Sequence, residues 1–393
     1  MKSDPIVILS ARRTPVGAFQ GVFSGVTGPQ LGSAAIQAAV ADSGVAAADI
    51  DEVIMGCVLS AGLGQAPARQ AALGAGLPTS TPCSTVNKMC GSAMRAVMLG
   101  ADQILAGSAN IVVAGGLESM TNAPYMLPKA RAGYRMGHQE VIDHLLFDGL
   151  QSPWDGQLMG CFAESTAARY DFSRAAQDEF ATESVRRAKA AMDNGEFRAE
   201  VTPVTAKTRK GEVRVDEDET PSTLDVAKIP RLKAAFKKDG TVTAASSASI
   251  SDGAAALVLT RESTAVAQGR KPLARVLGYT SFAREPEWFT LAPVGAVQKL
   301  LRQLDWQASD VDLYEINEAF AAVAMVAIKD LKLDPAKVNV NGGAVALGHP
   351  IGATGARILT TLIHALKARG KRRGIACLCI GGGEATAMAV ELV

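Results

Sequence analysis

Ala48-Asp-Ile-Asp-Glu-Val-Ile54 and Ser309-Asp-Val-Asp-Leu-Tyr-Glu-Ile316 share one pattern, acids set just before an apolar strand. The two copies continue alike. Cys90 comes 39 residues after Asp51, and His349 comes 37 residues after Asp312. Each leads into a helical pattern and then an apolar strand closed by glycines, Gly115-Gly116 in one copy and Gly381-Gly382-Gly383 in the other. Alternating strands and helices resemble one another by chance, but the matched spacing of the two loops favours duplication. The pattern predicts an α/β fold of two similar halves, each with a largely parallel sheet and helices on its faces.

The second copy contains the stretch Asn341-Gly-Gly-Ala-Val-Ala-Leu-Gly-His-Pro-Ile-Gly-Ala-Thr-Gly-Ala-Arg357, with five glycines and one histidine. Pro350 restricts His349 to extended geometry. From Gly355 the spacing turns helical, with Ile358, Leu362, Ile363 and Leu366 on one face. His349 is therefore expected in a rigid loop before a helix, where reactive side chains are often held. The glycines suit a close meeting of the loops of two halves.

Outward from there, the first half reads strand Ile6–Leu9, helix Pro29–Ser43 stopped by Gly44, strand Asp51–Val58, and a short helix Gln65–Leu73. The chain is extended over Pro82–Met89, helical from Cys90-Gly91-Ser92 to Ala106, and a buried strand over Asn110–Gly116. From Thr121 to Lys238 the alternation stops and charges rise, apart from a long polar helix capped by Ser173 and ended at Asn194-Gly195. This reads as an inserted, mostly surface segment. Arg186-Arg187 and Lys207–Lys210 are expected on solvated faces. Strand Ala254–Leu259 returns to the core.

The 393 residues carry 48% hydrophobic and 20% charged residues and a net charge of +1. That suits a globular protein with a large core and gives no electrostatic case for nucleic acid or a membrane surface. Six cysteines are too sparse for a disulfide scaffold, which points to a reducing compartment. The N-terminus leads directly into a strand without a signal-like apolar run, and Glu391-Leu-Val393 is not a peroxisomal signal. A cytoplasmic location is expected.

Four positions are candidates for chemistry. Cys90 precedes a helix, whose N-terminal partial charge is expected to lower its pKa. Position alone favours a structural cysteine; the small residues around it shift the balance toward function. Cys379 ends an apolar strand, Ile375–Ile380, next to the free N–H of Gly381, and reads either as structural, as buried strand cysteines usually are, or as a second acid/base. Cys377 is expected on the other face of that strand, in a structural role. Asn317, in Glu315-Ile-Asn-Glu-Ala-Phe320, either orients a water or carbonyl or caps the helix after it. Zinc-ligand spacing, a Walker loop and a dinucleotide fingerprint are all absent from the sequence.

Asn87-Lys-Met-Cys90-Gly-Ser, Asn317-Glu-Ala-Phe320, Gly343-Ala-Val-Ala-Leu-Gly-His349-Pro-Ile-Gly and Cys379-Ile-Gly-Gly-Gly383 together resemble the signature blocks of the thiolases. Ile6–Gly17, Gly64–Ala71, Gly115–Met120 and Asp239–Asp252 extend the resemblance over nearly the whole chain. The resemblance implies two βαβαβαββ halves forming a layered α/β/α/β/α core. It places the N-terminal half at 1–120 and 241–272, an inserted loop domain for coenzyme A binding and oligomer contacts at 121–240, and the C-terminal half at 273–393. It makes Cys90 the acylated nucleophile, His349 its activating base and Cys379 the second acid/base. Asn317, through a water, and His349 would form one oxyanion hole; the N–H groups of Cys90 and Gly381 would form the other. Substrate contacts would come from Leu158, Met159, Phe236 and Phe289, from Ser247, Ala248 and Ser249, and from Phe320.

The implied activity is that of an acetyl-CoA acetyltransferase, reversibly condensing two acetyl-CoA to acetoacetyl-CoA plus CoA. The alternative is a 3-ketoacyl-CoA thiolase for longer chains. Coenzyme A is then a substrate; no cofactor or metal is implied, and the assembly would be a homotetramer, with a dimer as the alternative. The chain departs from the family pattern at several points. Ala93 replaces a common glycine and is expected to narrow the pocket floor. Ala248 replaces a serine that contacts pantetheine, leaving Ser247 or Ser249 to substitute. Leu158 stands where some relatives carry histidine, and the loop Glu285-Pro-Glu-Trp-Phe289 also differs.

Overall fold

A computed structural model describes the chain over residues 4–208 and 211–393. The first half supplies β1 (Ile6–Arg13), α1 (Gly28–Ser43), β2 (Glu52–Gly56), α2 (Pro67–Gly74), β3 (Cys83–Val86), α3 (Ser92–Ala106) and β4 (Ile111–Ser119). Helices α4 (Met159–Tyr170) and α5 (Arg174–Asp193) come next, and β5 (Ser251–Arg261) closes the half. The second half runs β6 (Ala274–Ala283), α6 (Ala292–Leu304), β7 (Leu313–Ile316), α7 (Ala321–Leu331), α8 (Ala344–Leu347), α9 (Thr354–Ala368), β8 (Arg373–Ile380) and β9 (Glu384–Leu392).

The duplication is visible in hydrogen bonds. Asp51 accepts the N–H groups of Asn110 and Ile111 at 2.7 and 2.9 Å; Asp312 accepts those of Arg372 and Arg373 at 3.0 and 2.9 Å. These acids tie the start of β4 to β2 in the first half and the start of β8 to β7 in the second. The strand order is β3-β2-β4-β5-β1 in one half and β7-β8-β9-β6 in the other. Val338 makes a parallel bridge to Tyr314 of β7, at the place β3 holds beside β2. The halves join where β1 pairs antiparallel with β6.

The expectation of a largely parallel sheet needs correction. Among the described strands, parallel ladders join only β2 with β3 and β4, and β7 with β8, and Val338 extends the second of these by a parallel bridge. The last strand of each half runs antiparallel between the first strand and the one before it, β5 between β1 and β4 and β9 between β6 and β8. In the second half only Gly381-Gly382-Gly383 separate β8 from β9, and so short a link permits only a hairpin. Strand β4 also runs beyond its glycines to Ser119. Gly115 lies inside the strand because a Cβ there would come within 2.0 Å of the carbonyl oxygen of Ala255.

Apolar packing gives five layers. Helices α1 and α2 cover the outer face of the first sheet through Leu31, Ile36 and Ala71. Helices α6 and α7 cover the second through Val297, Leu300 and Ala327. Between the sheets lie α3 and α9, joined by Met94, Val97, Met98, Ile358, Leu359 and Leu362. A Cβ on Gly355 would lie 2.4 Å from the backbone nitrogen of Met94, so the two central helices meet at their N-terminal ends. The sequence places Cys90 and His349 just before those ends.

The segment between β4 and β5 is less superficial than expected. Helix α4 went unmarked in the sequence. Helix α5 begins at its Ser173 cap, whose side chain accepts the Ala176 N–H, but it buries Val185 and Ala188 against Ala346 and Leu347 of α8. Arg13, fully buried at the end of β1, pairs with Glu200 at 2.6 Å and Asp218 at 2.7 Å. A buried cation without such partners would be strongly destabilising, so the insertion is fixed to the core. Arg186 is solvated, as expected; Arg187 is not. Its guanidinium donates to the Val338 carbonyl at 2.6 Å and holds the turn before Asn339. Arg209 and Lys210 lie outside the described residues.

Candidate active site

Four loops converge on a cavity of about 400 Å³ lined by Cys90, His349, Cys379 and Gly381. The Cys90 loop is tightly formed. Met89 takes a left-handed φ of 48°, its N–H bonds Asn87 Oδ1 at 2.9 Å, and Ser92 Oγ bonds the Lys88 N–H at 2.8 Å. Non-glycine residues rarely hold that backbone angle except at constrained sites. Gly91 has no room for a side chain, because a Cβ would meet Ile380 at 2.4 Å. That contact brings the loop onto the end of β8, where Cys379 and Gly381 lie. An ion pair between Lys88 and Glu384 fastens the same two loops.

The resting thiol is more protonated than expected. Burial pushes Cys90 up to about 11 and the charge of Glu118 adds to this, while the N–H groups of Gly381 and of Cys90 itself, aimed at the sulfur, oppose it. The helix N-terminus does not win, because desolvation is the larger effect. Cys379 is fully buried and its thiol is raised well above its ordinary value, first by burial and then by proximity to Cys90. Both cysteines rest as neutral thiols.

His349 is held from two sides. Its backbone N–H donates to the Ser249 carbonyl at 3.1 Å. Nδ1 lies 2.6 Å from Thr354 Oγ1, and that hydroxyl donates to the Pro350 carbonyl at 2.8 Å. The hydroxyl's one proton is thus used, so the network assigns the imidazole proton to Nδ1 and leaves Nε2 free to accept. Burial, with Arg357 nearby, lowers the His349 pKa to about 3 and keeps the ring neutral.

Asn317 does not cap α7; Phe320 occupies that position. Its amide Nδ2 instead lies 3.5 Å from His349 Nε2, behind the cavity wall. Asn339 lies behind it in turn, donating to the Ile316 carbonyl at 2.8 Å. Cys377 and Cys379 share a strand face, as residues two apart must; the expectation of opposite faces is corrected. They differ in depth. Cys377 lies under α6, 3.8 Å from the Pro293 carbonyl, and Cys379 lies at the strand mouth among Phe162, Phe289 and Phe320.

The expected substrate contacts all reach the cavity: Leu158, Met159, Phe236, Phe289 and Phe320, and the segment Ser247-Ala248-Ser249. Phe320 packs edge-on to Phe236 and Phe289, giving one aromatic wall. The Ser247 hydroxyl is committed to the Thr243 carbonyl at 2.8 Å, and Ser249 Oγ lies 3.2 Å from Ser251 Oγ. Ser251 Oγ already donates to the Ser249 carbonyl at 2.9 Å, so the Ser247 and Ser249 hydroxyls both spend their proton within the protein and each oxygen keeps lone pairs toward the cavity. Ala93 does not narrow the floor. Its methyl faces Gly116, where a Cβ would stand only 2.7 Å away.

The thiolase N-terminal domain family matches residues 6–263 and the thiolase C-terminal domain family matches residues 270–392. The chain belongs to the thiolase family. This thiolase is 49% identical over 387 residues to the acetyl-CoA acetyltransferase of Escherichia coli K12, covering 98% of each chain. It is 47% identical over 395 residues to that of Schizosaccharomyces pombe, covering 100% of each. Among solved structures, the Bacillus anthracis acetyl-CoA acetyltransferase superposes with a TM-score of 0.97 at 42% identity, over 99% of each chain. The Acat5 thiolase of Ascaris suum, solved in complex with coenzyme A, superposes at 0.94 with 43% identity, over 99% of this chain and 100% of that one.

Three polar residues of the thiolase site went unmarked in the sequence. Thr354 orients His349. Arg357, buried, pairs with Glu315 at 3.1 Å and reaches the Asn317 amide oxygen at 3.5 Å. Glu118, in β4, binds backbone from two loops. A single carboxylate inside an otherwise apolar strand was the available signal for Glu118; Thr354 lay inside the stretch that carries His349.

Proposed function

We propose that the protein is an acetyl-CoA C-acetyltransferase, joining two acetyl-CoA into acetoacetyl-CoA plus CoA by ping-pong exchange through acetyl-Cys90. The observation that carries this is the convergence of two buried thiols and one neutral imidazole on one apolar cavity, with the Gly381 N–H aimed at the Cys90 sulfur. A covalent thioester divides a difficult condensation into two easier steps.

In the first step the Cys90 sulfur bonds to the acetyl carbon as its proton passes to His349 Nε2. The bond to the CoA sulfur breaks, and that sulfur leaves with the Cys379 proton. The carbonyl oxygen is received by the N–H groups of Cys90 and Gly381. In the second step the Cys379 thiolate removes a proton from the methyl carbon of a second acetyl-CoA. Its high pKa suits it to so weak an acid. The enolate oxygen is met by His349, now carrying a proton on Nε2, and by a water held on Asn317. The carbon attacks acetyl-Cys90, and the departing Cys90 sulfur recovers its proton from His349. Each charge develops opposite a donor already in place, the arrangement in which electrostatic stabilisation is most effective.

The insertion between residues 121 and 240 would form the coenzyme A site. Leu158, Met159, Phe236 and Phe289 would enclose the acyl group. That full-length relatives at 47–49% identity are acetyl-CoA acetyltransferases favours acetyl over longer chains. Tyr125, Met136 and Trp154, exposed by 69%, 95% and 65%, favour a homotetramer joined through this segment, since apolar side chains grouped in one loop region suit an interface. A cytoplasmic site agrees with six free cysteines and with the cytosolic acetyl-CoA acetyltransferase of Gibberella zeae, 47% identical. No helix among the described residues is long and apolar enough to cross a membrane.

The test is thiolysis of acetoacetyl-CoA against a medium-chain 3-ketoacyl-CoA, with intact-mass detection of acetyl-Cys90. Acetoacetyl-CoA is expected to give the higher kcat/KM. A strong preference for the longer substrate would sink the acetyl reading, and no adduct would sink thioester exchange altogether.

A further inference from the structure

Every residue of β4 is buried, and Glu118 is the carboxylate among them. One of its oxygens, Oε2, accepts the Val58 N–H at 3.0 Å and the Gly352 N–H at 2.9 Å. The other, Oε1, accepts the Leu59 N–H at 3.1 Å and lies 3.7 Å from Cys57 Sγ. Val58 and Leu59 come just after β2 in the first half. Gly352 comes three residues after His349, in the second. One carboxylate therefore spans the joint between the half that carries Cys90 and the loop that carries His349.

The fit around that joint allows little play. The Gly352 carbonyl lies against the paired residues Gly56 and Gly116, where added Cβ atoms would approach it to 2.7 and 2.1 Å. A Cβ on Gly352 would itself meet Glu118 Oε2 at 2.5 Å. Pro350 sits over Gly253, the cross-strand partner of Glu118. Ile351 packs with Leu59 and Met120 in a cluster that Cys90 also touches. His349 is thus set down beside Cys90 by three residues gripped on both sides.

A carboxylate is a costly means of holding two loops. Among the described residues Glu118 has no ion-pair partner, and burying a carboxyl without one is unfavourable. Burial accordingly pushes its pKa up to about 7. Its acceptor-only chemistry explains the choice: an ionised carboxylate takes N–H donors from several directions at once, whereas a glutamine would turn an NH₂ toward one set of them.

We infer that Glu118 is a positioning residue for thioester exchange, fixing the separation of His349 from Cys90 by holding Gly352 and the Val58–Leu59 turn on one carboxylate. This rests on the acetyl-Cys90 reaction being the one the enzyme performs. The experiment compares Glu118→Gln and Glu118→Asp with wild type, measuring steady-state kinetics and rapid-quench acetylation of Cys90. Leu31→Ala serves as the stability control, because Leu31 is buried on the inner face of the outer helix α1, away from the cavity. Small misplacement of reacting groups costs on the order of 100-fold in rate. For Glu118→Gln we expect kcat and the acetylation rate to fall together by about 30- to 100-fold, with KM for acetyl-CoA held within about threefold. Glu118→Asp, with the charge kept but one carbon shorter, should fall in between. Leu31→Ala should lower Tm and acetylate within about twofold of wild type. Glu118→Gln acetylating at the wild-type rate, or raising KM alone, would overturn the inference. If that variant does not fold, Glu118→Asp decides, and a wild-type rate there is equally fatal. Wild type that never acetylates Cys90 defeats the reaction itself, which the variants cannot do.

Discussion

Replacing Thr354 with valine removes one oxygen and nearly preserves volume. That oxygen stands between His349 Nδ1, at 2.6 Å, and the Pro350 carbonyl, at 2.8 Å. Its proton goes to Pro350, so it accepts from Nδ1–H and leaves Nε2 basic toward the cavity. In the valine variant the Nδ1–H is buried without that partner, at a cost of roughly 1–3 kcal/mol. The ring then favours the proton on Nε2, where it cannot receive the Cys90 proton. At 1.36 kcal/mol per tenfold, the competent form becomes roughly 5- to 150-fold rarer. Rapid-quench mass spectrometry with acetyl-CoA should show acetyl-Cys90 forming slower by that factor, with KM little changed. Thr354→Ser keeps the hydroxyl and should restore most of the rate. If Thr354→Val acetylates as fast as wild type, either His349 is not the base for Cys90 or its tautomer is not set by Thr354.

Cys379→Ser should still form acetyl-Cys90 but lose condensation by about 100- to 10,000-fold, the usual worth of a positioned acid/base; normal condensation would remove Cys379 from the second step. Because burial raises the Cys90 thiol to about 11, alkylation of the free enzyme by iodoacetamide should climb with pH. The thiolate fraction grows about tenfold per pH unit below the pKa, so the rate should rise roughly 100-fold between about pH 7 and 9; a plateau by neutral pH would mean a thiolate at rest. Gly355→Ala forces a methyl against the Met94 backbone, where a Cβ would sit 2.4 Å away. Overpacking of this kind costs about 1–3 kcal/mol, and thermal unfolding should show it as a lowered Tm; an unchanged Tm would mean the two central helices can separate freely at that point.

How much of this was legible in the sequence depends on whether a property is local. The repeat was legible because Asp51 and Asp312 keep their distance from the strand each one ties. The positions of Cys90 and His349 were legible because each precedes a helix at matched spacing. The protonation of Cys90 was not. A helix N-terminus can be read from residue order, whereas desolvation depends on what folds over the sulfur, and desolvation is larger. Ala93 was misjudged for the same reason: its methyl meets Gly116, 23 residues further along the chain. Asn317 carried two readings that only its neighbour His349 could separate. The polar face of α5 concealed a second face made of alanines and Val185, residues too small to mark a buried surface by composition.

The repeat also accounts for why the site is where it is. Helices α3 and α9 are equivalent in the two halves and meet at their N-terminal ends through Gly355 and Met94. In the proposed reaction the loop entering one carries the nucleophile, Cys90, and the loop entering the other carries the base, His349. Duplication therefore placed two equivalent loops together before they differed in chemistry. The cost of that arrangement is that the reacting groups belong to different halves, and their spacing is no better than the joint. The joint is made by features the chemistry does not use: Gly91 against Ile380, Lys88 with Glu384, and Glu118 with Gly352. Changes at these places should slow the acyl transfer without weakening the grip on coenzyme A, because none of them lines the cavity, whereas changes at Phe289 or Phe320, which line it beside Cys379, should alter which acyl group the site accepts.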